Sequence, residues 1–416
     1  MTRRAGSGTT DVMTRFDNLF QQGLAGFAEQ GRMRSCKQWH AAGPGLLQRP
    51  DTGAVLVDFS SHDYLGLRTH PRLLERAIAW GQAEGSGSGA SRLVTGTPPQ
   101  TMALEQRLAA LKGMEAARIF SSGWQANASV VPALARFSAQ VMGARAVIVA
   151  DKFIHASLYH GCAAAGVTPK RFRHNDMTHL DTLLAQDAGA GLKIVLTESV
   201  FSMDGDRADM AQLRAITRRH NAFLCVDEAH ATGILGAQGK GLANGQADLV
   251  VGTFSKALGG MGAFVAASDA VCRWLDNTAS GFIYSTAPSA MVLGAVDAAL
   301  DLLPDMEEAR THVAELACGF RQRMGQAGLE VGPSTTQIVP VVVGAEQTAL
   351  ALAQAVEQAG FLAVAIRPPT VPPGGCRLRV VFHAHHTQEQ MHALATAIIS
   401  AAAQNGILQE HGALGA

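Results

Sequence analysis

The sequence has no CxxC pair. Its six cysteines, Cys36, Cys162, Cys225, Cys272, Cys318 and Cys376, stand far apart. That spacing argues against a disulfide framework or a structural zinc site and fits a reducing compartment. There is no excess of charge either: Lys+Arg 34 balances Asp+Glu 34. Nothing therefore points to a polyanion partner such as nucleic acid, and any anion site must be local. No uninterrupted apolar run reaches membrane-spanning length. Met1 to Phe20 is polar and lacks the apolar core of a secretory leader. A soluble, cytoplasmic protein is expected. Internal repeats and low-complexity tracts are also missing.

What the chain does have is ample core-forming material. Hydrophobic residues are 47% and charged residues 16% of 416 residues, more than one average domain. An N-terminal segment, 1–55, contains one amphipathic stretch from Phe16 to Glu29, with Phe16, Leu19, Phe20, Leu24 and Phe27 at helical spacing. In a long middle, 56–300, short β-rich apolar runs alternate with helical patterns. The runs are Ala117–Ser121, Ala146–Ala150, Ile194–Thr197, Phe223–Val226, Leu249–Gly252 and Ala263–Ala267; helices are expected at Gln125–Phe137 and Met210–His220. This alternation predicts an α/β fold, a mostly parallel sheet with helices on both faces. Residues 301–416 read as a smaller α/β domain. Its strands are expected at Gln337–Val343, Leu362–Ile366 and Arg377–Phe382, with helices at Met306–Ala327, Gln347–Ala359 and Gln388–Ala403.

The residues that carry chemistry cluster at strand ends. Cys225-Val226-Asp227-Glu228-Ala229-His230 begins as a buried strand and ends in acid and imidazole. Val250-Val251-Gly252-Thr253-Phe254-Ser255-Lys256 does the same with hydroxyls and an amine. In open parallel sheets, ligands bind beyond the carboxyl ends of the strands. A lysine there, with a strand-end aspartate upstream, meets the needs of pyridoxal phosphate. The amine forms a Schiff base with the aldehyde, and the carboxylate keeps the pyridine nitrogen protonated so that the ring can take up a carbanion's electrons. Taken singly, a surface lysine and a turn acid would be unremarkable; their order and spacing make them specific. Phe120-Ser121-Ser122-Gly123-Trp124-Gln125-Ala126-Asn127 follows a strand and opens a helix, an anion cradle for the phosphate. Trp124 adds an aromatic beside the cofactor, and Thr253 and Ser255 add hydroxyls. His155, just past a strand, is a candidate to stack on the pyridine ring. His230 and Ser202, the latter within Val200–Asp206, are candidates for the ring oxygen. Gly85–Arg92 lacks the context of a nucleotide loop and reads as a flexible active-site loop. His383, His385 and His386 lack further ligand-like neighbours, and no metal is expected.

Together these motifs resemble the α-oxoamine synthases, a fold-type I pyridoxal-phosphate family. The resemblance rests on Asp63-Tyr64-Leu65-Gly66-Leu67, Gly85–Gly96, His155-Ala156-Ser157, Ser202-Met203-Asp204-Gly205, Asp227-Glu228-Ala229-His230 and Thr253-Phe254-Ser255-Lys256, and runs from about residue 14 to about 403. It implies a fold-type I transferase in which Lys256 is the Schiff-base lysine and proton shuttle, Asp227 pairs with the pyridinium, and His155 stacks on the ring. Ser202 and His230 would serve the ring oxygen, while Gly123, Trp124 and Thr253 help to hold the cofactor. Arg379 matches the arginine that receives the amino-acid carboxylate; Thr370 and Arg34 match acyl-substrate positions. Ala365-Ile366-Arg367-Pro368-Pro369-Thr370-Val371-Pro372, then Arg377-Leu378-Arg379, and also Phe282–Thr286, resemble the biotin-pathway branch. That branch implies condensation of L-alanine with a pimeloyl thioester, carried on CoA or acyl carrier protein, by a homodimer whose Gly85–Gly96 loop approaches the neighbour's site. The family usually has Asn where this chain has His62, near the substrate carboxylate, and Phe or Tyr where it has Trp124. A family member using glycine or another acyl thioester is one alternative. A non-catalytic subunit of the same fold is another, although such subunits can lack the lysine that Lys256 supplies.

Overall fold

The computed structural model describes residues 15–29, 32–187 and 189–408. Its strands, in chain order, are β1 (His40–Gly43), β2 (Leu46–Gln48), β3 (Val55–Asp58), β4 (Ala116–Phe120), β5 (Val147–Asp151), β6 (Lys170–Phe172), β7 (Lys193–Glu198), β8 (Phe223–Asp227), β9 (Leu249–Thr253), β10 (Ala263–Ala267), β11 (Ile338–Gly344), β12 (Phe361–Leu362), β13 (Val364–Ile366) and β14 (Cys376–Val381). Seven of them form one sheet in the order β4-β10-β9-β8-β7-β5-β6. Within it only β10 runs against its neighbours, pairing antiparallel with both β4 and β9.

β5, β7, β8 and β9 are buried along almost their whole length, as expected of strands covered on both faces. Alternate side chains go to opposite layers. Ile148, Ala150, Ile194, Leu196, Cys225 and Val251 pack with the helices Gly123–Val141 and Ala156–Ala164. Val149, Val195, Leu224, Val226 and Val250 pack with Met177–Ala185 and Met210–Arg219 on the other side. The expected strands are thus present, most of them shifted or extended by a residue or so at their ends, which is where propensity is least decisive.

The C-terminal part holds an antiparallel sheet, β11-β14-β13. The single strand expected at Leu362–Ile366 is two. Phe361 and Leu362 pair parallel with Val57 and Asp58, whereas Val364–Ile366 pair with Arg377–Arg379. The break at buried Ala363 lets one run serve two sheets. The N-terminal β1-β2-β3 sheet is thereby joined to the C-terminal part. Two stacked histidines reinforce the join: His383 and His386 both place Nε2 within 3.0 and 3.1 Å of the Asp58 carbonyl. Their burial and these bonds account for them, and among the described residues no group of His, Cys, Asp or Glu is arranged to hold a metal. No helix among these residues is long and apolar enough to cross a membrane.

One polar cluster underlies the active-site strands. Lys112 is fully buried and donates from Nζ to Glu228 Oε2, Thr232 Oγ1 and the Lys240 carbonyl, each at 2.8 Å. Glu228 Oε1 accepts the backbone N–H groups of Leu242 and Ala243. Gly241 reaches φ +88° beside this carboxylate, where an added Cβ would lie 2.1 Å from Glu228 Oε2. Removing one partner of such a pair strands the other's charge in the interior. Lys112→Met is expected to lower stability by roughly 3–5 kcal/mol, read as a reduced urea midpoint. A midpoint within error of the parent would show that the pair is dispensable.

Candidate active site

Parallel strands deliver their last residues to one edge. Register places Glu198 of β7 opposite Asp227 of β8, and Asp227 opposite Val251 of β9. Thr253 ends β9 and Phe120 ends β4, both opposite Ala263 of the intervening β10. Beyond this edge lies a cavity of about 240 Å³ lined by Ser122, Gly123, Trp124, Asn127, His155, Glu198, Asp227, Ala229, His230, Thr253, Ser255 and Lys256. Seven of the expected site residues, Gly123, Trp124, His155, Asp227, His230, Thr253 and Lys256, therefore share one space.

Each end of the cavity is built differently. Asp227 is buried and held rigidly: Asn127 Nδ2 donates to Oδ2 at 2.7 Å and the Ala229 N–H to Oδ1 at 2.8 Å. Asn127 also reaches Ser157 Oγ at 3.0 Å, which lies 2.7 Å from His155 Nδ1, so His155 is tied to Asp227 through two intermediaries. Burial lowers the His155 pKa, outweighing the attraction of Asp227, and the imidazole is held towards its neutral form. Trp124 lies edge-on to it, 6.1 Å between centroids. Ser122 caps the helix Gly123–Val141 by accepting from the Gln125 N–H. The first-turn N–H groups of Gly123 and Trp124 have no carbonyl within the helix to bond, so they and the Thr253 and Ser255 hydroxyls, 2.8 Å apart, form a cradle for an anion.

At the other end Lys256 Nζ lies 2.9 Å from His230 Nε2, and Tyr64 OH lies 2.6 Å from His230 Nδ1. An ammonium can only donate, so while Lys256 is charged Nε2 accepts and Nδ1–H donates to the tyrosine oxygen. Burial and the charges of Lys256 and Arg379 hold His230 well below the usual histidine range, which keeps it neutral. Burial also pulls Lys256 down to about 8, opposed by the carboxylates of Asp227 and Glu198. An amine in this state is a competent nucleophile and base near neutral pH.

Arg379, 3% exposed, completes the arrangement. Nε donates to the Ser202 carbonyl at 2.6 Å and Nη1 to His62 Nε2 at 2.8 Å, while Nη2 is buried with no partner. His62 is held down to about 3 by burial and by the charges of Arg379 and Lys256, so it accepts from the guanidinium as a neutral ring. The orphaned Nη2, in a site with a lysine and two neutral imidazoles, is a charged donor left without an acceptor and suits an anionic group.

The remaining expected residues lie elsewhere. Ser202 contributes its backbone carbonyl to Arg379, and its side chain is not among the groups lining the cavity. Arg34 and Thr370 line a second, larger cavity of about 690 Å³, together with Leu24, Phe27 and Arg367. Sequence reasoning passed over Asn127, Tyr64 and Glu198. Glu198 ends β7 one residue past the expected strand; its Oε1 is buried without a partner, and burial with the nearby Asp227 charge raises its pKa well above the usual carboxylate range. Its strand-end position was the available signal.

The residues present fit pyridoxal phosphate: an amine and a carboxylate line one half-open cavity, with an anion cradle at its rim. Among the described residues the buried Asn127 Oδ1 and Glu198 Oε1, both of residues lining the cavity, have no partner, polar capacity left over in this site.

Comparisons with known proteins agree with this chemistry. Residues 54–398 match the family described as "Aminotransferase class I and II". An 8-amino-7-oxononanoate synthase of Gluconacetobacter diazotrophicus is 54% identical over 398 residues, 95% of this chain and 100% of that protein. One from Geobacter sulfurreducens is 41% identical, covering 91% and 97%. Among solved structures, a serine palmitoyltransferase from S. paucimobilis described with bound PLP–myriocin superposes with a TM-score of 0.85, at 27% identity over 95% of this chain and all of that one. An 8-amino-7-oxononanoate synthase from Francisella tularensis gives 0.72 at 26% identity, covering 84% and 99%.

The depressed Lys256 pKa has a direct consequence. In cofactor-free protein the neutral amine fraction should rise through a midpoint near pH 8 instead of near 10.5. Reductive methylation with formaldehyde, mapped by peptide mass spectrometry, is expected to label Lys256 half-maximally near that pH. A midpoint at the ordinary lysine value would contradict the burial argument.

Proposed function

The chain belongs to the class I and II aminotransferase family and, within it, to the α-oxoamine synthases; from that premise we propose that it is an 8-amino-7-oxononanoate synthase, condensing L-alanine with a pimeloyl thioester and releasing CO2. The observation that carries the reading is the shared cavity of Lys256 and Asp227 beside a buried arginine whose Nη2 is unused.

Lys256, Asp227, His155, His230 and Thr253, with the N–H groups of Gly123 and Trp124, are the residues that would hold pyridoxal phosphate; the family resemblance would add Ser202, whose carbonyl anchors Arg379. When bound, the cofactor supplies an aldehyde to engage the amine and a cationic ring to accept electrons from the alanine Cα. The chain's residues do the rest. Arg379 takes the alanine carboxylate on Nη2, fixing which Cα bond faces the ring. Lys256, with a pKa of about 8, removes the Cα proton and later returns one. Asn127 and the Ala229 N–H keep the Asp227 carboxylate aimed at one place. His230, braced by Tyr64, accepts from the Lys256 amine and steadies it.

In the net reaction, alanine Cα bonds to the thioester carbonyl carbon and the C–S bond breaks. The former carboxylate departs as CO2, and a proton returns to Cα. The second cavity, lined by Arg34 and Thr370 over apolar Leu24 and Phe27, supports an acyl-chain site. CoA or acyl carrier protein presents the thioester. The working enzyme is a cytoplasmic homodimer, with the Gly85–Gly96 loop reaching the neighbour's site, a cofactor domain at 56–300 and a smaller domain at 301–416.

Thiol release from pimeloyl-CoA with L-alanine is the test, run against glycine and serine because His62 contacts the carboxylate-binding arginine. L-Alanine is expected to give the highest kcat/KM. Lys256→Ala is expected to lose the cofactor's visible absorbance and at least roughly 10³-fold in turnover. Preference for glycine would redirect the reading to another α-oxoamine synthase, and retained turnover in Lys256→Ala would overturn it.

A further inference from the structure

Behind the active site, on the other side of the loop that follows β7, is a cavity of about 210 Å³ lined by residues that the proposed chemistry does not use. Its floor is the segment preceding β11. Thr335 N–H and Thr336 Oγ1 both donate to the Gly205 carbonyl, at 3.0 and 2.8 Å, fastening this segment to the β7 loop. Gly205 is required there: φ is +66°, and a Cβ would lie 2.0 Å from the Ile338 carbonyl oxygen.

Two arginines grip consecutive carbonyls of that segment. Arg207 Nη2 donates to the Thr335 carbonyl at 2.9 Å, and Arg321 Nη1, from the helix Glu307–Gln326, donates to the Thr336 carbonyl at 2.7 Å. Neighbouring anchors hold two cations side by side. Among the described residues no carboxylate compensates either one. Burial lowers the Arg207 pKa, and burial lowers that of Arg321, which the Arg207 charge lowers further. The only acid lining the cavity, Glu307, is already engaged by Arg310 Nε and Nη2 at 3.0 and 2.8 Å. Arg321 also bonds the Cys318 thiol, and the guanidinium nitrogens not used on the carbonyls line the cavity with Thr311.

We propose that this cavity is a binding site for a small oxyanion, a phosphate or a carboxylate group, clamped between Arg207 and Arg321. Guanidinium forks suit both groups because their N–H pairs match two oxygens. The anchoring carbonyls fix the forks before the ligand arrives, so little side-chain entropy is lost on binding. At about 210 Å³ the space is smaller than the roughly 300–1,000 Å³ of pockets for drug-sized ligands, which favours a simple anion over a nucleotide. The site is separate from the phosphate cradle at Ser122–Trp124, and it does not depend on the condensation reaction assigned above. Its floor connects to the catalytic groups, because Gln337 Nε2 donates to the His230 carbonyl at 2.9 Å.

The test uses holoenzyme with saturating pyridoxal phosphate, so that the cofactor's own cradle is filled. Thermal unfolding is followed against inorganic phosphate, and separately against succinate, with potassium chloride at equal ionic strength as reference. Phosphate stabilises most proteins by exclusion, so the readout is the difference between parent and variant. The parent is expected to gain about 2 °C or more over Arg207→Gln, saturating with concentration. Arg72→Gln, at an exposed position of the helix Pro71–Glu84 that does not line the cavity, should behave as the parent. Because Arg207 is exposed, Arg207→Gln is expected to fold; Arg207→Lys, which keeps the charge but not the fork, should recover only part of the effect. A larger saturable gain with phosphate than with succinate assigns the phosphate class, and the reverse assigns the carboxylate class. Equal, non-saturating shifts in parent and Arg207→Gln for both anions would overturn the proposal.

Discussion

The constraint on which the rest depends is the confinement of one amine and one carboxylate to the same small cavity. Asp227 ends β8 and Lys256 follows the adjacent β9; Asp227 is buried and Lys256 partly so. Each group has its own fixed partners. Asn127 and the Ala229 N–H occupy both carboxylate oxygens, and His230 takes the amine. The amine is thereby kept basic enough to accept a proton and poor enough in solvation to give it up.

The fold supplies this confinement through register. Glu198, Asp227 and Val251 stand opposite one another across three parallel strands, so the loops after β7, β8 and β9 open into one space. The C-terminal sheet then lays Arg379 over that space from β14, anchored to the Ser202 carbonyl. Arg377, two residues earlier on the same strand, bonds Asp204 of the same loop. The β7 loop is held from both sides, which explains how a residue so late in the chain joins a site built by the middle of it.

Much of this was legible in the sequence because it is local. Cys225–His230 and Val250–Lys256 announce strand ends by the abrupt change from apolar to polar residues, and that change located Asp227, His230, Thr253 and Lys256. What escaped notice is held by long-range contact. Asn127 meets Asp227 100 residues away, and Tyr64 meets His230 166 residues away. Inside a helix, or beside a Gly turn, nothing in the neighbouring residues advertises such a partner. The same limit applies to the run Leu362–Ile366, whose division between two sheets depends on where β3 and β14 lie. The reversed direction of β10 is set by the connection from Phe254 to Gly262, which is too short for a crossover helix.

The proposed chemistry rests on the amine at position 256. Borohydride reduction of the yellow holoenzyme fixes a pyridoxyl group irreversibly to whichever amine holds it, and peptide mass spectrometry then identifies the residue. The structure predicts a single modification, on Lys256. A pyridoxyl group on any other lysine, or none at all, would contradict the central claim.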